Sequence, residues 1–150
     1  MTDSPLLNEH GTLDSSIESQ LRRFRKTKPM WAKLLHEPVE IQTLEGPEVV
    51  PAGAYLCRGI KGEPWGQSAE KVSEKYVPSG EPLDDGWEKF LPHPDAPPVD
   101  ATKIPTAFRV HTSWGELSGK PGDYLVRSTT DLTDMWIVDQ SIFDSTYESC

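Results

Sequence analysis

The chain has 150 residues, a formal net charge of −9 at pH 7 and 35% hydrophobic residues, which allows one domain or two very small ones. The negative charge disfavours binding to nucleic acid and to anionic membranes, and no apolar run is long enough for a membrane span. The first residues lack the basic start and apolar run of a signal peptide, and two cysteines are too few for a disulfide framework. We therefore expect a cytoplasmic protein that contacts neither nucleic acid nor membrane.

The amino-terminal part of the chain divides into a tail and a helix. Residues 1–14 are polar and are predicted to form a disordered tail. Ser15 and Glu18 have the spacing of a capping box, and apolar residues follow at helical intervals. We expect a short helix near 15–26, ended by Pro29.

One short segment of the sequence occurs twice. Gly53-Ala54-Tyr55-Leu56-Cys57-Arg58 recurs 69 positions later as Gly122-Asp123-Tyr124-Leu125-Val126-Arg127. Further along the chain the spacing grows to 71, so that Trp65 aligns with Trp136 and Tyr76 with Tyr147. Such an internal repeat decides the architecture before any single element does.

Each copy has the pattern strand, turn, strand, hairpin, strand, short helix. Repeat 1 covers about 28–78 and repeat 2 about 105–149. Half of the 14 prolines lie between them, so about 78–105 is predicted to be a linker that forms no continuous helix or sheet. Trp87 and Phe90 interrupt this linker and are expected to pack onto a repeat.

These patterns predict an α+β fold that is mainly β. One repeat of about 40 residues is too small to hold a core alone. We therefore expect residues 15–150 to form a single domain, in which the two repeats pack with pseudo-twofold symmetry behind the short amino-terminal helix.

The order of several short motifs resembles a family of small bacterial and phage proteins, the PGDYG-type family, here present as two tandem, diverged copies. The motifs are Phe24-Arg25-Lys26-Thr27-Lys28-Pro29, Ile41-x-Thr43-Leu44-Glu45-Gly46, Gly53-x-Tyr55-Leu56-x-Arg58-Gly59-Ile60-Lys61-Gly62-Glu63, Trp65 and Tyr76. The resemblance implies a fold unit and not a reaction. Where the family has an acidic residue after the turn glycine, the first copy has Ala54 and the second has Asp123.

No motif points to catalysis. The four histidines, His10, His36, His93 and His111, lack the spacing of metal ligands. A glycine-rich phosphate loop and a nucleophile elbow are both missing from the sequence. We therefore predict no catalytic residue, no metal and no cofactor, although an enzyme whose site is assembled only by folding stays open.

The repeated arginines, Arg58 and Arg127, are the strongest binding candidates. Each precedes an acid, Glu63 or Asp134, across a predicted hairpin, so a cross-strand ion pair is one interpretation. The other is that both guanidinium groups meet in a cleft between the repeats and bind an anion. The candidate ligand-binding residues are Arg58, Arg127, Tyr55, Tyr124, Trp65 and Trp136.

The five tryptophans have two interpretations as well. They pack in the core and at turns, or they form an exposed patch that binds a protein. The leading hypothesis is a small non-catalytic module that binds another protein. The alternative is a protein that binds a small ligand or anion through Arg58 and Arg127.

Overall fold

The structure is a computed structural model that describes residues 4–8, 12–82, 84–112 and 115–150. Its sheets are antiparallel and its helices are short. The predicted α+β class, mainly β with a short amino-terminal helix, is confirmed. In chain order the elements are α1 (Ser15–Glu18), β1 (Arg22–Lys26), β2 (Met30–Leu34), β3 (Val39–Thr43), β4 (Gly46–Val50), β5 (Tyr55–Arg58), β6 (Pro64–Gln67), α2 (Ala69–Lys75), β7 (Tyr76–Pro82), a 3₁₀ turn (Asp84–Gly86), β8 (Trp87–Pro92), β9 (Val99–Lys103), β10 (Phe108–Thr112), β11 (Gly115–Gly119), β12 (Tyr124–Ser128), β13 (Met135–Val138), α3 (Gln140–Thr146) and β14 (Tyr147–Ser149).

The chain divides into two compact units. Thr27–Ala96 forms one of them, which we call the continuous unit. The other, the split unit, combines Met1–Lys26 with Pro97–Cys150. The pseudo-twofold packing of two repeats stays a prediction.

The continuous unit contains a five-stranded sheet and a hairpin. The strand order in the sheet is β6-β5-β2-β8-β7, and β3 pairs with β4. Helix α2 begins at Ser68, whose hydroxyl oxygen accepts the backbone N–H of Lys71. Buried side chains from the strands and α2 form one core: Met30, Ala32, Cys57, Val72, Tyr76 and Phe90. Cys57 is fully buried in this core, as its counterpart Val126 is in the split unit.

The split unit has a sheet of order β13-β12-β9-β1-β14 and a hairpin of β10 and β11. Strand β1 precedes the continuous unit in the chain, yet it pairs with β9 and β14, which come after that unit. The sheet is buried on both faces, with Leu125 in one apolar cluster and Val126 in another. This agrees with strand alternation, which points successive side chains to opposite faces.

The prediction of a helix over 15–26 is wrong beyond Glu18. Its cap is Asp14, whose carboxylate accepts the Ser16 N–H at 2.8 Å, and residues 22–26 are a strand. Pairing with β9 and β14 gives the backbone of β1 hydrogen-bond partners, and the ring centroid of Phe24 lies 4.9 Å from that of Phe143. Long-range pairing outweighs the local helical spacing of the apolar residues.

The prediction of an unstructured linker over about 78–105 is also wrong. Three strands, β7, β8 and β9, lie wholly or largely in this stretch. Strand β7 is the last in its sheet, where Pro78 does not interrupt a central ladder. Phe90 packs in the core of the continuous unit, and Trp87 is half-buried.

The predicted disordered tail is wrong for the part that the structure describes. Leu6 forms a parallel bridge with Arg109, and Leu13 is buried in the split unit. His10, also assigned to the tail, lies outside the described residues.

Candidate functional site

The predicted site residues divide between the two units. Tyr55, Arg58 and Trp65 belong to the continuous unit, and their counterparts Tyr124, Arg127 and Trp136 belong to the split unit. A cleft that both arginines share stays a prediction.

Arg58 is an exposed side chain held by an aromatic ring. Its guanidinium carbon lies 4.5 Å from the ring centroid of Trp87. The predicted partner, Glu63, accepts the backbone N–H of Lys61 at 3.0 Å. Because a guanidinium that stacks on a ring still presents its N–H groups at the edge, Arg58 remains able to bind a carboxylate or phosphate.

Arg127 is in a different environment, with only 7% of the residue exposed. Its Nη1 lies 3.5 Å from Oε2 of Glu18, which follows from α1 packing near β12. Within the described residues, Nε of Arg127 has no hydrogen-bond partner. Burial and the Glu18 carboxylate both reduce its access to an outside anion.

The four aromatic candidates pack mainly as core residues. Tyr124 stacks on Phe143 with centroids 3.8 Å apart, and Tyr55 meets Phe90 edge to face at 5.8 Å. Partial burial raises the pKa of the Tyr124 phenol, and the nearby Asp144 carboxylate, which accepts its hydrogen bond, raises it further. Trp65 and Trp136 are partly buried against the apolar clusters of their units.

The register of β2 with its neighbours assembles a surface that the sequence alone did not reveal. Met30 and Ala32 are buried on one face of β2, so Trp31 and Lys33 lie on the other. Trp31 is opposite Arg58 on β5 and Lys89 on β8, and Lys33 is opposite Leu56 and Trp87. We call these six the basic–aromatic face: Trp31, Lys33, Leu56, Arg58, Trp87 and Lys89.

The charge of this face opposes that of the whole chain. Three of its six residues are cationic, whereas the protein carries a net charge of −9. Lys89 also lies 3.4 Å from Glu81. The face can therefore attract acidic groups that most of the surface repels.

Exposed large apolar side chains concentrate in the same unit. Among the described residues, Leu132 is the only one in the split unit. The other five belong to the continuous unit: Leu34, Leu44, Val49, Ile60 and Leu91. Of these, Leu91 lies on β8 on the same side as Lys89, next to the basic–aromatic face.

A polar cluster in the split unit was missed by the sequence reasoning. Nζ of Lys120 lies 2.8 Å from Oδ1 of the buried Asp123 and 2.6 Å from Oδ2 of Asp139. Partial burial opposes ionisation of Lys120, but hydrogen bonds to the two aspartates raise its pKa. Hydrogen bonds from Lys120 and Ser141 lower the pKa of Asp139, the residue that caps α3.

This cluster is structural in character, because its hydrogen bonds close the turn from Lys120 to Asp123 and join that turn to the start of α3. The counterparts of Lys120, Asp123 and Asp139 in the first copy are Pro51, Ala54 and Ser68. None of the three ionic residues of the cluster is therefore present in the first copy. That joint difference was the available sequence signal.

The described part of the chain offers no metal centre and no membrane span. Within residues 4–8, 12–82, 84–112 and 115–150, no group of three or more His, Cys, Asp or Glu side chains could hold a metal ion. No helix of this part is long and apolar enough to cross a membrane. Trp114, one of the five tryptophans, lies outside the described residues.

Comparison with known proteins gives no match to a family model, to a curated protein or to a solved structure.

Proposed function

We propose that this chain is a non-catalytic module that binds another protein through the basic–aromatic face of its continuous unit. The observation that carries the proposal is the register that places Arg58 and Lys89 on either side of Trp31. Tryptophan and arginine are the residues most enriched at binding hot spots. Leu91, an exposed apolar residue of β8 on the same side as Lys89, adds area that a partner can bury.

The resemblance to the PGDYG-type family belongs to the same proposal. It names a fold unit without a reaction, which fits a binding role. The predicted soluble, intracellular setting would place the partner in the same compartment.

Charge reversal on the face tests the proposal. The full chain, the double variant Arg58→Glu/Lys89→Glu and the control Lys28→Glu/Lys103→Glu are used to capture proteins from native lysate. Both variants change the net charge equally, and Lys28 and Lys103 are exposed outside the face. We expect a stoichiometric partner that the wild type and the control retain and the face variant loses.

Two outcomes would count against protein binding by this face. One is that no stoichiometric partner is recovered by the wild type. The other is that the face variant captures the same partner as well as the control does. Circular dichroism of each variant establishes that the fold is intact.

Binding of a small anion is the second candidate. The exposed guanidinium of Arg58, stacked on Trp87, supports it, whereas Arg127 is buried beside Glu18. Thermal unfolding with phosphate and with organic acids would then shift upward in the wild type and not in Arg58→Ala. An equal shift in both proteins would exclude Arg58 as the anion site.

A further inference from the structure

The amino-terminal segment of the chain is bound to the edge of the split unit by an isolated parallel β-bridge. The backbone N–H of Arg109 donates to the Pro5 carbonyl at 2.8 Å, and the Leu7 N–H donates to the Arg109 carbonyl at 2.9 Å. The side chain of Asn8 bonds both backbone groups of His111. Residues 4–8 thus run parallel to β10 along its outer edge.

Apolar residues between 12 and 21 pack against the apolar face of the sheet. Leu13 is buried with Leu125 of β12, and other apolar residues of the segment pack against the same cluster. Glu18 places its carboxylate beside Arg127. This segment therefore supplies a β-bridge at the edge of β10, apolar side chains on one face of the sheet and a carboxylate beside Arg127. The apolar side chains are those of Leu7, Leu13, Ile17 and Leu21.

The continuous unit carries the same edge in the same register. Thr43 pairs with Gly46 as Thr112 pairs with Gly115, and each threonine hydroxyl donates to the carbonyl of its glycine. By this register Glu40 is the counterpart of Arg109, the residue whose backbone groups point outward to residues 4–8. Among the described strands, only β4 pairs with β3.

The face beside that edge is also open in the continuous unit. Leu56 is half-buried where its counterpart Leu125 is fully buried. Arg58 is exposed where its counterpart Arg127 is 7% exposed. In the split unit these two positions are covered by residues of the amino-terminal segment, since Leu13 shares a cluster with Leu125 and Glu18 lies beside Arg127.

We propose that the continuous unit binds an acidic, leucine-containing segment of another protein, which adds a parallel strand to the outer edge of β3 and brings a carboxylate to Arg58. This inference rests on the proposed function and names the chemistry of the partner. Strand addition gains affinity from main-chain hydrogen bonds, and side-chain pockets give specificity. Lys33, Arg58 and Lys89 select an acidic segment.

A second copy of this chain is a poor source of the segment. Each copy has one amino-terminal segment, and its own β10 already binds it. A partner with a free segment of similar pattern meets no such competition.

The probe is a synthetic peptide with the sequence of residues 4–21, SPLLNEHGTLDSSIESQL. It is titrated into the full chain while the indole N–H signals of Trp31 and Trp87 are followed by NMR. We expect saturable shifts of both signals with a Kd below about 1 mM. A peptide with Glu18→Lys should bind at least about tenfold more weakly, which is about 1.4 kcal/mol.

Two matched variants test the strand edge itself. Glu40→Pro removes the outward N–H of β3, and Glu40→Ala keeps it. We expect Glu40→Pro to weaken peptide binding at least about tenfold, and Glu40→Ala to leave it unchanged. Circular dichroism and thermal unfolding confirm that both variants fold; if Glu40→Pro does not, Arg58→Ala must produce the loss instead.

The inference is overturned by any of three results: no saturable binding, equal binding by Glu40→Pro and Glu40→Ala, or shifts confined to the split unit. Tighter binding of a single-stranded oligonucleotide than of the peptide, with the same indole shifts, would also overturn it. A native partner that needs Arg58 and Lys89 but tolerates Glu40→Pro would leave the proposed function standing and remove only this binding mode.

Discussion

Asp139 stabilises the split unit in two ways at once. Its Oδ1 accepts the N–H groups of Ser141 and Ile142 at the start of α3, while Oδ2 accepts from Lys120. The counterpart Ser68 caps α2 with a neutral hydroxyl. The contribution of the cap to stability should therefore depend on pH in the second copy and not in the first.

Replacing Asp139 with alanine should lower the free energy of unfolding by about 1–2 kcal/mol at pH 7, because a helix cap and a charge-assisted bond are lost. The folded-state pKa of Asp139 lies below its ordinary value of 3.8. A lowered pKa contributes stability above the unfolded-state value, and that contribution disappears as the pH falls through the folded-state value. The deficit of Asp139→Ala should thus shrink at about pH 2.5.

Urea unfolding at the two pH values measures this deficit. Ser68→Ala is the matched control, and its smaller deficit should not change between them. A deficit of Asp139→Ala that is as large at low pH as at pH 7 would contradict the ionic contribution.

At the scale of elements, the β3–β4 and β10–β11 hairpins fill one corresponding cross-strand position with different pairs of side chains. Phe108 faces Gly119 across β10 and β11, and the corresponding pair across β3 and β4 is Val39 and Val50. A Cβ atom on Gly119 would overlap the ring of Phe108, which is fully buried. The β10–β11 hairpin thus pairs a large side chain with a glycine where the β3–β4 hairpin pairs two valines of medium size.

This complementarity predicts strong coupling between the two positions. Gly119→Val should cost at least about 1–3 kcal/mol, because the buried ring cannot move away. In the presence of Phe108→Val the same change should cost less, with a coupling energy of about 0.5–3 kcal/mol. Urea unfolding of the two single variants and the double variant gives the cycle, and additive costs would refute the size match.

The elements differ in how far their sequences predict them. Strand β3 follows from the alternation of apolar and polar residues that precedes the turn at Gly46, and it is present. Strand β2 was missed because Met30 to Leu34 has apolar residues on both faces and so no clear alternation. Strand β1 was missed because helical spacing continues into Phe24.

The candidate site was harder to predict than the strands. Arg58 stands out in the sequence because it is repeated, but its neighbours Trp31 and Trp87 are distant in the chain. Only the register of β2 with β5 and β8 brings them together, and local patterns do not fix the register between distant strands. The partner of Arg127, Glu18, depends in the same way on where α1 packs.

At the scale of the whole molecule, β1 and β8 hold corresponding places in the two sheets. Phe24 is opposite Val99, and Phe90 is opposite Met30. Val99 follows Met30 by 69 positions, the spacing of the sequence repeat. Yet β8 follows β7 directly in the chain, whereas β1 is separated in sequence from β9 and β14 by the whole of the continuous unit.

This connectivity predicts unequal independence of the two units. Thr27–Ala96 contains every strand of its sheet, so this fragment should unfold cooperatively on its own. Pro97–Cys150 lacks β1, which lies between β9 and β14, and it also lacks the apolar residues that cover Leu125. It should remain largely unfolded alone and gain a cooperative transition when a peptide of residues 1–26 is added. Thermal unfolding followed by circular dichroism distinguishes these cases. A cooperative transition of Pro97–Cys150 without the peptide would mean that β1 is dispensable for that sheet, because the stability would then come from β9, β12 and β13 with their hairpin.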